Sequence, residues 1–172
     1  MPLPLADRIA LVTGASRGIG YATALALAKA GAHIVALART VGGLEELDDA
    51  IKALGGSATL VPLDLKDYQG IDRLGLALHE RFGRLDVMIG NAGILGPLSP
   101  LGHVEAQAWD EVMAVNVTAN WRLIRAMGYE QRDALRPQFT DHCFTGDYPT
   151  ALTDRTGQEA SPRQLSLLAE AS

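Results

Sequence analysis

The sequence predicts an α/β fold in which helices cover both faces of a parallel β-sheet. Four short apolar runs, at residues 9–12, 33–38, 58–63 and 85–90, alternate with longer segments of helical period. This alternation is typical of βαβ units, whose strands are buried on both faces. Pro62 lies within the third run and removes one backbone donor, so that strand should lie at an edge, as in the strand order 3-2-1-4.

Two helices should connect the first three strands. The first, over residues 18–30, is rich in Ala and Leu, which suits a helix buried against a sheet, and Gly31 should end it. The second should end at Gly55 and Gly56. Its apolar residues fall at helical spacing and form one stripe: Leu44, Leu47, Ile51 and Leu54.

A third helix and a fourth complete the predicted pattern. Asp67 can cap the third helix and Gly83 should end it. Its inward-facing residues share one face: Ile71, Leu74, Leu78 and Phe82. A long amphipathic helix is predicted over residues 105–127. Residues 128–172 lack a strand-like run and are broken by Pro and Gly, so we expect a domain at 1–127 and an irregular or disordered tail at 128–172.

Composition limits the classes of partner. The 172 residues are 48% apolar, enough for the core of one domain, and the net charge of −5 offers no basic surface for nucleic acid. The single cysteine, Cys143, excludes an internal disulfide and a zinc cluster. The N-terminus does not resemble a leader, and no apolar run approaches the roughly 20 residues that span a bilayer. We expect a cytoplasmic protein with neither membrane nor metal contact.

A glycine-rich turn between the first strand and the first helix carries the strongest functional signal. It reads Thr-Gly-Ala-Ser-Arg-Gly-Ile-Gly over residues 13–20. Gly14 allows a tight reversal, Gly18 allows backbone N–H groups to approach a pyrophosphate, and Gly20 allows the helix to pack closely on the strand. The helix N-terminus adds partial positive charge. This spacing predicts a dinucleotide site.

Three segments in order resemble a known family. The turn at residues 13–20, Asn-Ala-Gly at 91–93 after the fourth strand and Asn116 within Val-Asn-Val are similar to the N-terminal part of a short-chain dehydrogenase/reductase, over residues 7–127. The resemblance implies a truncated Rossmann-type, doubly wound sheet and an NAD(P)-binding oxidoreductase. The cofactor-binding residues that it implies are Gly14, Ser16, Arg17, Gly18, Ile19, Gly20, Arg39, Asp64, Leu65, Asn91, Ala92 and Gly93.

The end of the second strand favours NADP(H), with NAD as second choice. An acidic residue there accepts the ribose hydroxyls of NAD, whereas a basic one accommodates the 2′-phosphate of NADP. Here Arg39 follows Ala38, and Arg17 in the turn adds a second positive charge. Both arginines can also be solvated surface residues. Asp64 resembles the family aspartate at the adenine edge, although a helix or turn cap explains it nearly as well.

Asn116 is the single candidate catalytic residue. It shares a helical face with Trp109, Met113, Asn120 and Ile124, so its amide should point inward and need a partner. The resemblance implies that it holds a water in a proton relay toward a lysine. The alternative is an internal cap on a neighbouring loop carbonyl.

The sequence departs from the family in its proton-transfer residues. The family uses a serine, and a tyrosine whose pKa is lowered by a lysine four residues later. The last lysine here is Lys66; Tyr129 is followed at that spacing by an aspartate and Tyr148 by a leucine. Neither pair can replace Tyr and Lys, because a carboxylate raises a phenol pKa and leucine is uncharged. We expect the chain to bind cofactor without turnover of its own.

The tail resembles a different family. Residues 138–150 are similar to the C-terminal part of a glutamine phosphoribosylpyrophosphate amidotransferase, and the likeness begins near Ala126. The segment lacks that family's N-terminal nucleophilic cysteine and its phosphoribosyl loop. His142 and Cys143 are adjacent and have no third group to orient them, which argues against a nucleophilic pair. A rearranged or fused reading frame would explain both halves.

Three function hypotheses remain open. The first is a cofactor-binding domain that is inactive alone. The second is an active carbonyl or alcohol oxidoreductase, completed by a partner chain or an unrecognised acid. The third is a non-catalytic protein-interaction module that uses the open edge of the fourth strand. A homo-oligomer through that sheet edge or through the Asn116 helix fits any of them.

Overall fold

The most buried strands lie at the centre of a four-stranded parallel sheet. The structure, a computed structural model, describes residues 3–130. Its strands are β1 (Ile9–Thr13), β2 (His33–Ala38), β3 (Ala58–Pro62) and β4 (Val87–Ile89). They are ordered β3-β2-β1-β4, so β3 lies at one edge. The predicted α/β fold and strand order are confirmed, including the edge position of the strand that contains Pro62.

Helices connect the strands and follow the last of them. They are α1 (Gly18–Lys29), α2 (Val41–Ala53), α3 (Tyr68–Phe82), α4 (Ala106–Met113) and α5 (Ala119–Glu130). A short 3-10 helix, Leu101–His103, precedes α4. The cap of α3 is as predicted, because the Asp67 carboxylate accepts the N–H of Gly70 at 2.9 Å. Gly83 ends α3 with a left-handed backbone, φ 68°.

The sheet separates two apolar clusters. On one face α1 and α2 pack through Ala24, Ala28, Leu44, Leu47 and Ile51. On the other face α3 and α5 supply the second cluster, whose members include Ile71, Leu74, Leu78, Leu123 and Met127. Burial on both faces explains why the strand sequences are continuous apolar runs rather than alternating ones.

The structure differs from the predicted helices in two details. Leu54, assigned to the apolar stripe of α2, lies beyond the last turn and is 46% exposed. The stripe ends one turn earlier because the chain leaves the helix at this residue, its C-cap.

The helix predicted over residues 105–127 is present as an unbroken run of helical residues from Ala106 to Glu130. A π-helical turn, Ala114–Thr118, separates α4 from α5. The face predicted to point inward is only partly covered within residues 3–130, since Trp109 is 50% exposed and Ile124 59% exposed. A π turn shifts the residues that follow it around the helix axis, so a constant 3.6-residue period does not keep Trp109 and Ile124, which lie on either side of the turn, on one face.

Candidate functional site

A cavity of about 640 Å³ lies at the carboxyl ends of the strands. The strand order reverses between β1 and β4, which makes this the switch point where ligands of open α/β sheets bind. Its walls come from the turn after β1, the end of β2, the segment after β3 and the segment after β4. Four loops that are distant in sequence therefore meet at one place.

The glycine turn forms the floor of the cavity. Gly14 and Gly18 have φ values of +66° and +58°, a region that disfavours residues with a side chain. A Cβ at Gly14 would lie 2.9 Å from the Asn91 amide nitrogen and 3.0 Å from the Ala92 Cα, whereas no described atom lies within 4 Å of one at Gly18. Protein atoms of the segment after β4 thus fill the space beside Gly14, whereas the space beside Gly18 is open. Gly20 is also needed, since its Cβ would overlap the Gly14 carbonyl oxygen.

The N-terminus of α1 points its free N–H groups toward this turn. Arg17 is the N-cap residue, its side chain makes no capping hydrogen bond in the described structure, and the first turn contains no acidic residue. A helix end of this kind carries partial positive charge and unpaired donors. It can therefore bind an anionic group such as a phosphate.

A hydrogen-bond network joins the ends of β1 and β4 beneath the cavity. The fully buried Thr13 hydroxyl accepts the N–H groups of Asn91 and Ala92, each at 3.0 Å, and lies 3.3 Å from the Ile89 carbonyl oxygen. In return the Asn91 amide donates to the Thr13 carbonyl at 3.0 Å and to that of Gly14 at 3.4 Å. Asn91 thus holds the floor of the site rather than projecting freely.

Two arginines flank the cavity where β2 ends. Arg17 and Arg39 both line it, both are exposed, and neither side chain forms a hydrogen bond or ion pair within residues 3–130. Thr40 also lines the cavity; it is the N-cap of α2, and its side chain makes no capping bond there. Two positive charges and a free hydroxyl next to Ala38 suit an anion better than they suit neutral ribose hydroxyls.

Asp64 and Leu65 form the wall that follows β3. One Asp64 carboxylate oxygen accepts the N–H of Lys66 at 2.9 Å, which is the turn cap that the sequence analysis gave as an alternative. Only Oδ1 makes this bond, so the cap and a ligand contact through Oδ2 are compatible. Leu65 is buried and contributes an apolar surface.

Asn116 lies in the π-helical turn, and its side chain contacts the segment after β4. Its Oδ1 accepts the Ile94 N–H and its Nδ2 donates to the Ile94 carbonyl, both at 2.9 Å. This is the loop contact that the cap interpretation predicts. Its neighbour Val115 and its partner Ile94 line the cavity.

Most predicted site residues meet at this cavity, since all the predicted cofactor-binding residues except Gly20 line it. Gly20 and Asn116 support it from behind. Six further residues line the cavity although they were not predicted as site residues: Leu37, Ala38, Thr40, Leu63, Ile94 and Val115. Thr40 could have been found, because it follows Arg39 directly and precedes a helix. Thr13 belongs to the glycine turn, but its bridging role depends on β4 and has no local signal.

Two negative observations apply to residues 3–130, the part of the chain that the structure describes. No group of three or more His, Cys, Asp or Glu side chains lies close enough to hold a metal ion. None of the described helices is both long and apolar enough to cross a membrane. The predictions for residues 131–172, including His142, Cys143, Tyr148 and all but the first few residues of the amidotransferase likeness, lie outside the described residues.

The position of the cavity at the switch point puts the chain in the class of Rossmann-like α/β proteins. Comparison with known proteins then gives the family. The family model described as short chain dehydrogenase matches residues 8–131, and the chain belongs to this family of NAD(P)-binding oxidoreductases. The resemblance noted in the sequence is thereby confirmed for this part of the chain.

Individual relatives agree with this assignment. The bovine dehydrogenase/reductase SDR family member 11 is 42% identical over 115 residues, which cover 66% of this chain and 45% of the relative. A metagenomic short-chain oxidoreductase, solved in complex with NADP, is 37% identical with a TM-score of 0.73, covering 76% of this chain and 59% of that one. The E. coli oxidoreductase yciK is 35% identical with a TM-score of 0.68, covering 74% and 53%. The chain spans about half the length of the relatives that it matches.

Proposed function

We propose that residues 1–127 form a dinucleotide-binding domain that prefers NADP(H) to NAD(H). The observation that carries the proposal is the pair of unpartnered arginines, Arg17 and Arg39, on the cavity wall. They lie on two elements that meet at the cavity, the phosphate turn and the end of β2. A 2′-phosphate between them would receive charge-assisted hydrogen bonds, and Thr40 can add a hydroxyl donor.

The rest of the cofactor has a chemically suitable partner at each wall. The turn from Gly14 to Gly20 and the α1 N-terminus fit the pyrophosphate, since no described atom lies within 4 Å of a Cβ position at Gly18 and the helix end offers N–H donors. Asp64 and Leu65 fit the adenine edge. Asn91, Ala92 and Gly93 line the wall assigned to the nicotinamide-side ribose. Ala92 and Gly93 leave room there, and Asn91 holds the segment through its bonds to β1. The related metagenomic oxidoreductase that contains NADP supports the choice of cofactor class.

We further propose that this chain binds the cofactor without catalysing turnover by itself. The bound cofactor would supply the hydride acceptor or donor, but the substrate oxygen also needs a proton donor or acceptor. No tyrosine in the sequence is followed four residues later by a lysine, so a phenol with a lowered pKa is missing. Asn116 is assigned a supporting role, in which it holds the Ile94 backbone at the cavity wall.

Isothermal titration of the folded chain with NADPH and with NADH tests the cofactor proposal. We expect tighter binding of NADPH, and Arg39→Ala should weaken it about 10-fold or more, because a hydrogen bond to a charged group contributes about 1.5–3 kcal/mol. NADH binding should change less than about twofold, since NADH lacks the 2′-phosphate.

Arg81→Ala is the matched control, because Arg81 is also exposed but contacts Phe82, away from the cavity. Equal losses for Arg39→Ala and Arg81→Ala would contradict the assignment of Arg39. Failure of the folded wild-type chain to bind either nucleotide would contradict the proposed function itself. Steady oxidation of NADPH with a simple ketone would contradict the absence of turnover. The cytoplasmic location, the homo-oligomer and the tail hypothesis stay predictions.

A further inference from the structure

The first turn of α2 contains two consecutive glycines that the fold does not explain by backbone conformation. Gly42 and Gly43 both lie within the helix, and neither has a positive φ. Glycine is a poorer helix former than alanine, so two together weaken the start of α2. A reason for either glycine must come from the space around it.

The two positions differ sharply in the space available. A Cβ added at Gly42 would meet no described atom within 4 Å. A Cβ added at Gly43 would lie 2.7 Å from the Ser16 carbonyl oxygen and 2.8 Å from the Ser16 Cβ. Both of those atoms are held by the backbone, so they cannot rotate away. The helix therefore packs directly on the phosphate turn at Gly43.

This contact joins the two chain segments that carry the arginines assigned to the 2′-phosphate. Ser16 precedes Arg17 in the turn, and Gly43 lies one helical turn after Arg39 and Thr40. The Ala15 N–H also donates to the Leu37 carbonyl at 3.2 Å, so the turn is bonded to β2 just before that strand ends. One hydrogen bond and one close packing contact thus fix the turn against the β2–α2 connection.

We propose that Gly43 is a positioning residue that sets the spacing of Arg17 and Arg39 and thereby the preference for NADPH over NADH. The inference rests on the proposed function. Any side chain at this position would push α2 and the phosphate turn apart by several tenths of an ångström. The pyrophosphate binds to the phosphate turn alone, so this movement affects it less. The 2′-phosphate binds to Arg17 on the turn and to Arg39 after β2, so it depends on the distance between the two segments.

Gly43→Ala and Gly42→Ala form a matched pair for the test. Both add one methyl group to the same helical turn and raise its helix propensity, but only the first meets Ser16. Displacement of one arginine weakens a charge-assisted hydrogen bond to the 2′-phosphate, so we expect about a tenfold loss of NADPH affinity for Gly43→Ala. NADH lacks this phosphate, so its affinity should fall less than about threefold, and Gly42→Ala should bind both nucleotides like the wild type.

Titration of the three proteins with both nucleotides gives the ratio of NADPH to NADH affinity, which a loss of stability alone would not change. An unchanged ratio in Gly43→Ala would overturn the inference, whether both affinities fall together or neither falls. If the wild type binds neither nucleotide, the proposed function fails instead. These two failures are distinguishable because the second is seen without any variant.

Hydrogen–deuterium exchange on the wild type provides a second test that does not depend on folding of the variant. We expect NADPH to protect residues 14–20 and 39–45 together, and NADH to protect mainly the first segment. NADPH protection confined to residues 14–20 would overturn the inference.

Discussion

The buried hydroxyl of Thr13 should contribute strongly to the stability of the site, and Thr13→Val tests this. Valine has nearly the same shape, so the change removes the hydroxyl and leaves the apolar contacts in place. The Asn91 and Ala92 N–H groups would lose their common acceptor, and the Ile89 carbonyl would lose a donor.

Thr13→Val should lower the free energy of unfolding by about 2–4 kcal/mol. Each buried donor left without a partner costs about 1–3 kcal/mol, and the cavity gives water partial access to these donors. Thr13→Ser is the control. It keeps the hydroxyl and loses one methyl group, which costs about 1 kcal/mol. Urea unfolding followed by far-UV circular dichroism measures both variants, with equal m-values required for the comparison.

The two substitutions distinguish polar from apolar stabilisation. If the network stabilises this end of the sheet, Thr13→Val unfolds at lower urea than Thr13→Ser, although valine is the more apolar residue. A Thr13→Val protein as stable as Thr13→Ser would refute the reasoning, because the lost hydrogen bonds would then have no net effect.

Two further predictions concern stability. The pKa of His33 is lowered by partial burial and then by the nearby Arg81 charge. The unfolded protein therefore binds a proton at His33 more readily than the folded protein does. The contribution of His33 to the free energy of unfolding is thus complete above about pH 6.5 and falls as the pH drops from there to the lowered pKa. Urea midpoints measured against pH should show this slope, and His33→Gln should reduce it; an unchanged slope would contradict the assignment. Asn116→Leu should lower the free energy of unfolding by about 1–3 kcal/mol, since both Ile94 backbone groups lose their partner; Asn120→Leu, which removes a bond within the helix, should cost less.

The sequence predicted the sheet and its helices well because their signals are local. Apolar runs, the Asp67 cap and the glycine stops each depend on a few neighbouring residues. The glycine turn was predictable for the same reason, and so was most of the cavity wall. The errors fall where a local rule ends, as at Leu54, which continues the period of α2 after the helix itself has stopped.

The residues that support the cavity could not be predicted with the same certainty, because their partners are distant in sequence. Thr13 contacts residues 76 to 79 positions away, and Asn116 contacts Ile94, 22 positions away. The polarity of Asn116 showed that it needs a partner, but both a water and a loop backbone satisfy that need.

The same separation explains why Gly43 gave no signal. A glycine in the first turn of a helix is locally only a weak helix former. Its steric role exists because β2 places α2 beside the turn that follows β1, a consequence of parallel strand pairing. A structure is thus needed to find the contacts between crossover connections at the same edge of a parallel sheet. Such contacts can also hold two binding subsites at a fixed spacing, since each connection carries one subsite and the sheet fixes the position of both connections.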